Sequence, residues 1–294
     1  MINQTTKERI DALCGQYVAL AADHQEAFDQ IALAELPEAV HQSNAIENST
    51  LTLDDTERIL TGNMPLKQAS VREMFEATNL AAVSADMALD EPLSVDLILR
   101  WHRMLLTNIR DDVAGRFRRG REWVRVGGHV GANPEFVPSL VEDTLTRYAA
   151  SDTDYFLDKI AWFHCEFEII HPFVDGNGRI GRILIDKQLR DIGLPPIIVR
   201  AKNRERDYYP LLDNYAKTNH HGPMTTLLAL LLQESLHKRI ALVTSRRVIP
   251  LAQWAKTAEI RGNVAANKAK RQTIPAFRIR DRWMIAEDYR PSSS

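Results

Sequence analysis

The chain lacks most features that take a protein outside the ordinary globular class. Its two cysteines, Cys14 and Cys165, fall in helix-like patterns and cannot build a disulfide framework, so nothing calls for an oxidising compartment. No apolar run approaches the ~20 residues that span a bilayer. The first residues also lack the basic-then-apolar layout of a secretory leader. A cytoplasmic protein without membrane contact is expected. Cys and His groupings with metal-ligand spacing are missing, so zinc is not expected. There is no internal repeat, and low complexity is limited to Ser292-Ser293-Ser294. With 294 residues, 45% hydrophobic and 26% charged, the composition is that of a globular protein with one large domain or two unequal ones.

What is present is helical periodicity. It predicts helices over 6–33, 37–48, 53–60, 71–89, 95–109, 137–149, 155–170, 180–191, 207–215 and 224–240, hence a mainly α fold. Strand-type alternation is confined to two places. One is Glu122-Trp123-Val124-Arg125-Val126, a Gly127-Gly128 turn and His129-Val130-Gly131, which reads as a hairpin. The other lies near the C-terminus.

The stretch His171-Pro172-Phe173-Val174-Asp175-Gly176-Asn177-Gly178-Arg179-Ile180-Gly181-Arg182 joins the helix ending near Ile170 to the next one. Glycines at the start of a helix let backbone N–H groups converge on an anion, and the helix dipole adds to the attraction. Two arginines one turn apart supply forked donors suited to phosphate oxygens. Asp175 is a hard carboxylate of the kind that takes Mg²⁺ beside phosphates, and His171 can serve as a general base near neutral pH. The combination reads as a polyphosphate site for transfer of a phosphorus-centred group onto a hydroxyl.

These residues resemble the Fic family signature H-x-F-x-[DE]-G-N-G-R-x-x-R at every fixed position, and the likeness runs from about Leu36 to Leu236. The resemblance implies a Fic-type helical bundle with a β-hairpin flap. It implies protein AMPylation, in which AMP moves from ATP to a Ser, Thr or Tyr hydroxyl of a target protein. His171 would be the base and Asp175 the Mg²⁺ ligand. Gly176, Asn177 and Gly178 would hold the α-phosphate, while Arg179 and Arg182 hold the β- and γ-phosphates. Phe173 would fix the loop from the core. Relatives that phosphorylate carry lysine at the place of Gly178, which argues against that chemistry here; transfer of UMP or phosphocholine stays open. Tyr209 resembles a residue lining the adenine pocket, and Gly115-Arg116-Phe117-Arg118 resembles the approach to the flap. An extended target segment would pair with the flap edge.

Upstream, Ser43-Asn44-Ala45-Ile46-Glu47-Asn48 matches the family's inhibitory pattern [ST]-x-x-x-E-[GN], with Ser43, Glu47 and Asn48 in its fixed places. A carboxylate reaching Arg182 would occupy the guanidinium meant for the γ-phosphate, so ATP would sit in a non-productive pose. Whether the same glutamate also supports AMP removal is not legible.

The net charge of −2 hides an asymmetry: residues 245–294 hold eleven basic and four acidic residues, or +7, against 26 basic and 35 acidic before them, or −9. A basic piece on an acidic body suggests an anionic partner. Residues 250–258 and 263–271 read as two short helices, and 274–279 with 282–285 as a hairpin. The order resembles the winged helix-turn-helix of excisionase- and MerR-like DNA-binding domains. DNA contacts would fall to Asn267, Lys268, Lys270, Arg271, Arg278, Arg280 and Arg282. The turn Glu259-Ile260-Arg261-Gly262-Asn263 departs from the usual Gly-[ILV]-[ST].

The expected division is 1–60 for N-terminal helices with the inhibitory motif 43–48, 61–244 for the catalytic core with flap 122–131 and motif 171–182, and 245–294 for the basic module. Expected ligands are ATP as substrate and Mg²⁺; expected partners are a target protein and DNA. The oligomeric state is left open, a homodimer included. The rival reading is a DNA-binding regulator whose Fic part senses nucleotide or is idle.

Overall fold

The computed structural model describes residues 2–66, 68–87, 91–151 and 154–291. Helices dominate. In chain order they are α1 (Gln4–Ile46), α2 (Leu53–Leu60), α3 (Val71–Asp86), α4 (Val95–Leu106), α5 (Val137–Ala150), α6 (Phe156–Ile170), α7 (Asn177–Asp191), α8 (Arg204–Asp207), α9 (Tyr209–Thr218), α10 (Gly222–Thr244), α11 (Leu251–Thr257) and α12 (Gly262–Lys270). The strands are β1 (Arg125–Val126), β2 (His129–Val130), β3 (Val248–Pro250), β4 (Phe277–Ile279) and β5 (Arg282–Ala286). The expected helix end at Leu89 and the serines 292–294 lie outside the described residues.

Local signals start several helices. The hydroxyls of Thr52 and Ser70 accept from the N–H groups of Asp55 and Glu73, whose carboxylates accept from the capping residues' own N–H groups. These reciprocal pairs satisfy donors that a helix start leaves bare. Glu73 also accepts from Thr50 N (2.7 Å), which pins the segment just after the Ser43–Asn48 motif to α3. The expected break before Pro37 does not occur. Helix α1 runs through Pro37, and its non-helical residue is His24 (φ −131°, ψ 25°). Proline removes one backbone bond and crowds the preceding turn. The loss is offset on the far side of Pro37, where Glu38 accepts from Arg200 and Gln42 from Ala201 N.

The chain packs as two compact units. One comprises 36–191 with 198–225; the other comprises 2–35, 192–197 and 226–294. In the first, α6 packs on α7 and α5, and α3 on α4, around Trp101, Leu105, Leu106, Phe163, Phe167, Phe173, Ile180 and Leu184. Strands β1 and β2 pair antiparallel with Val126 opposite His129, about a turn that Gly127 makes at φ 52°.

In the second unit β5 is central, paired antiparallel to β3 and β4. β3 escaped the sequence reading, being three residues long. Helices α11 and α12 pack through Leu251, Trp254, Ala255, Ala265 and Ala269. The stretch after residue 244 does not stand alone: Arg278 is paired with Glu234 on α10, and His237 on α10 meets Gln272 (2.7 Å). Among the described residues no helix is long and apolar enough to cross a membrane.

Candidate functional site

The loop between α6 and α7 is held in a specific shape from within. His171 caps α6 in the left-handed region (φ 50°), which costs a non-glycine residue ~1 kcal/mol or more. Gly176 lies at φ +84°, a conformation that favours glycine, and a Cβ there would also crowd Leu105 Cδ2 at 3.1 Å. Asn177 closes the loop, accepting from Phe173 N and donating to Phe173 O, both at 2.8 Å. Its side chain is thereby committed to the loop, which is why α7 starts at Asn177 and not at Ile180 as expected.

Phe173 is fully buried and stacks on His102 at 3.7 Å, as its core role required. His102 Nδ1 accepts from Gly115 N, so its Nε2–H donates to Asp175 O (both 3.0 Å). Burial pushes the His102 imidazole down to about 4, which keeps it neutral and the tautomer fixed.

His171 is oriented the same way. Its Nδ1 lies 3.3 Å from Glu168 O, a contact that takes a donated N–H and leaves Nε2 as the bare acceptor. Burial lowers its pKa to about 4. The backbone beneath it is gripped by the buried Arg118, which donates to His171 O (2.6 Å), Ile170 O, Ala132 O and Glu122 O. One guanidinium thus ties the ring's backbone to both flanks of the β1–β2 hairpin. A charged, fully buried arginine satisfied by carbonyls fixes geometry, since any shift leaves donors unmet.

The charged groups divide in two. Arg179 is 2% exposed and lies against Asp175 Oδ1 (3.1 Å) and Glu76 Oε1 (3.3 Å). The expectation that it holds phosphates meets a buried guanidinium set between two carboxylates, with its Nε and Nη1 making no hydrogen bond. Asp175 also accepts from Arg72 Nη2 (2.8 Å). Burial pushes its carboxyl up, but Arg179 and Arg72 outweigh this and hold it below the ordinary range.

Arg182 is 8% exposed. Its Nε donates to Ser43 Oγ and its Nη2 to Ser43 O, each at 2.9 Å, and Nη2 also to Glu47 Oε1 at 2.8 Å. The Glu47 carboxylate overlies the first turn of α7, so that a Cβ added to Gly178 would collide with it. Residues 177–179 supply the N–H groups that a helix start leaves without intrahelical partners. An acidic group therefore sits where the residues would take an anion.

A second set of contacts holds that acidic group in place. Asn48, at φ 69°, accepts from Arg204 Nη2 (2.7 Å), and Ala45 O accepts from Arg204 Nη1 (2.9 Å). Tyr209 OH donates to Ile46 O (2.9 Å). Tyr209 thus borders the site, half-buried, with its hydroxyl on the end of α1. The sequence reading missed His102, Arg204 and the grip of Arg118. Only Arg118 carried a signal, its place in the quoted Gly115–Arg118 segment.

Residues 92–189 match the model of the Fic/DOC family. The chain carries a Fic domain. Curated relatives described as protein adenylyltransferase Fic include one from Drosophila persimilis, 29% identical over 71% of this chain and 42% of its own length. Another, from Nematostella vectensis, is 29% identical over 72% and 50%. The chain thus spans about half the length of the curated relatives it matches. Fic-1 of C. elegans aligns with a TM-score of 0.70 at 26% identity over 81% of this chain and 71% of that one. A Fic family protein from Desulfovibrio desulfuricans shares the fold over 99% and 98%, TM-score 0.70 at 21% identity.

In the other unit, Asn267, Lys268, Lys270 and Arg271 are exposed on and just after α12, and Arg280 and Arg282 are exposed at the β4–β5 turn. Arg278 differs from the expectation. It donates to Glu234 (Nε–Oε1 2.9 Å) and stacks over Trp283 at 4.6 Å, so its charge is spent internally. The departure in the α11–α12 turn is absorbed by Glu259, which takes the left-handed conformation (φ 55°) that glycine fills more cheaply. Among the described residues no three His, Cys, Asp or Glu are grouped to hold a metal.

Proposed function

We propose that this chain is an autoinhibited AMP transferase: its Fic domain moves AMP from ATP to a Ser, Thr or Tyr hydroxyl of a target protein and is held off by Glu47. The carrying observation is the ion pair between Glu47 and Arg182 laid over the α7 N-terminus, beside an imidazole whose Nε2 is bare. That arrangement is an anion site with a base next to it and a carboxylate in the anion's place. The adenylyltransferase relatives support the choice of AMP.

With Glu47 withdrawn, Arg182 and the N–H groups of 177–179 receive the phosphates. Neutral His171 takes the hydroxyl proton on Nε2, the oxygen attacks the α-phosphorus, and the bond to the leaving pyrophosphate breaks. Arg179 serves here as the brace of Asp175. Tyr209 lines the base side of the pocket.

Mg²⁺ fits as an ion carried mainly by nucleotide phosphates. Such an ion needs one or two carboxylates and keeps several waters; Asp175 is one ionised carboxylate, part-exposed, with its backbone fixed by His102. When bound it neutralises phosphate charge. Both Asp175 oxygens accept from arginines, and the one shared with Arg72, the more exposed of the two, is the oxygen that would hold the ion.

The test is labelled ATP with the Glu47→Gly chain. Label on protein is expected, and Glu47→Gly/His171→Ala should show none. Label that persists without His171 refutes the assignment.

Residues 245–294 support a second role, DNA binding as a winged helix-turn-helix module. The exposed residues of α12 would meet base edges, and Arg280 and Arg282 the phosphates. A mobility-shift assay across a salt series should show affinity falling steeply with salt. Binding indifferent to salt would point to a protein partner.

A further inference from the structure

Behind His171 lies a carboxyl that none of the roles above uses. Glu168, on α6, is buried, and its Oε1 has no hydrogen-bond partner. Its Oε2 is 3.8 Å from His171 Nδ1, too long for a hydrogen bond yet close enough to act on a charge that forms on the ring. An unmet buried carboxyl is expensive, and the fold makes room for it: a Cβ on Gly181, inside α7, would collide with Glu168 Oε1. A glycine in a helix interior costs ~1 kcal/mol against alanine. The chain therefore carries two unfavourable features, and each accommodates the other.

We propose that Glu168 is a positioning residue for His171: its carboxylate backs Nδ1 and compensates the imidazolium that forms when Nε2 takes the hydroxyl proton. This rests on the transfer reaction proposed above. At rest Nδ1–H points to Glu168 O. When the O–H bond of the target breaks and Nε2–H forms, the ring becomes a cation, and Nδ1–H strengthens its contact with the carboxylate. The oxygen–phosphorus bond then forms as the bond to pyrophosphate breaks, and no further reactant is needed.

Besides His171, the groups facing Glu168 are Arg182 on α7, His164 and Cys165 on α6, Tyr208 beside α9 and the Glu47 carboxylate. Burial raises the Glu168 carboxyl to about 8, with Arg182 opposing and Glu47 adding to the rise. Glu168 is thus neutral at neutral pH and ionises as pH rises, which makes His171 a stronger base.

The experiment compares Glu47→Gly with Glu47→Gly/Glu168→Gln, a change that keeps the volume and removes the charge. Self-labelling in the first should rise with pH to an inflection at or below about 8, since Glu47 no longer adds to the shift. The Gln variant should lose that rise and at least about tenfold in kcat, with the KM for ATP unchanged. In parallel, NMR of ¹³C-labelled histidine should show His171 responding to the same inflection in the parent and not in the Gln variant. Unchanged kcat and pH profile, or identical His171 titrations, overturn the proposal. If Glu47→Gly transfers nothing, the transferase reading falls, while the NMR comparison still decides what Glu168 does to His171.

Discussion

Glu47→Gly is the perturbation whose size the structure allows to be worked out. Glu47 gives Arg182 one charge-assisted contact at 2.8 Å, with Arg182 8% and Glu47 37% exposed. A hydrogen bond to a charged group contributes ~1.5–3 kcal/mol, and an exposed ion pair less than ~1. With one partner buried and the other over a third open to water, about 1.5–2 kcal/mol is appropriate. At 1.4 kcal/mol per tenfold, removal should favour productive nucleotide by roughly ten- to thirtyfold. The gain is not larger because Ser43 keeps two contacts on the same guanidinium, so Arg182 remains oriented and partly occupied. Glu47 lies just past the end of α1 at Ile46, so glycine there costs the helix little. The assay is the initial rate of protein labelling from α-labelled ATP, with Kd for Mg·ATP by calorimetry alongside. Rate and affinity within about twofold of the parent would refute the idea that this pair restrains the site.

Three further outcomes follow from the same contacts. Arg204→Ala removes the two donors on Ala45 O and Asn48 Oδ1 and should raise basal labelling severalfold, about 1 kcal/mol of lost restraint; a fall in labelling would show that Arg204 serves the nucleotide instead. Gly181→Ala should lower Tm by a few degrees through overpacking against Glu168, and Gly181→Ala/Glu168→Ala should recover it; a double variant as unstable as the single one contradicts the fit between the two residues. Burial pushes the Glu73 carboxyl up, but hydrogen bonds from Thr50 and Ser70 outweigh it and hold it at about 2. Because the folded value is depressed, its stabilisation is full above the ordinary carboxylate range near 4.5 and is lost as pH falls toward 2. The Tm gap between the parent and Glu73→Gln should therefore close on acidification, and a gap that stays constant with pH would contradict the assignment.

Helical period is enough to identify the mainly α class and the loop between α6 and α7, and alternation about Gly127-Gly128 is enough for the hairpin. The contact of Glu47 with Arg182 is legible only through the resemblance to the family's inhibitory pattern, and the two contacts of Ser43 on the same guanidinium are not legible at all. Gly176 and Phe173 are legible through the resemblance to the Fic signature, and the structure supplies the physical reasons: a backbone at φ +84° that favours glycine and a ring buried against His102. How charges are shared is settled by packing. Arg179 and Arg182 are three residues apart and alike in sequence, yet one is enclosed by Asp175 and Glu76 and the other meets Glu47. Arg278 reads as a phosphate contact until Glu234 of α10 is found beside it. His102, Arg204 and Glu168 carry no local pattern, and the segment Gly115–Arg118 marks Arg118 without its role, because their partners lie on other helices or on backbone atoms that no side-chain spacing reports. A guanidinium or carboxylate is the same in any sequence context; which opposite charge lies within 4 Å, and how much water remains between them, is set by the packing alone.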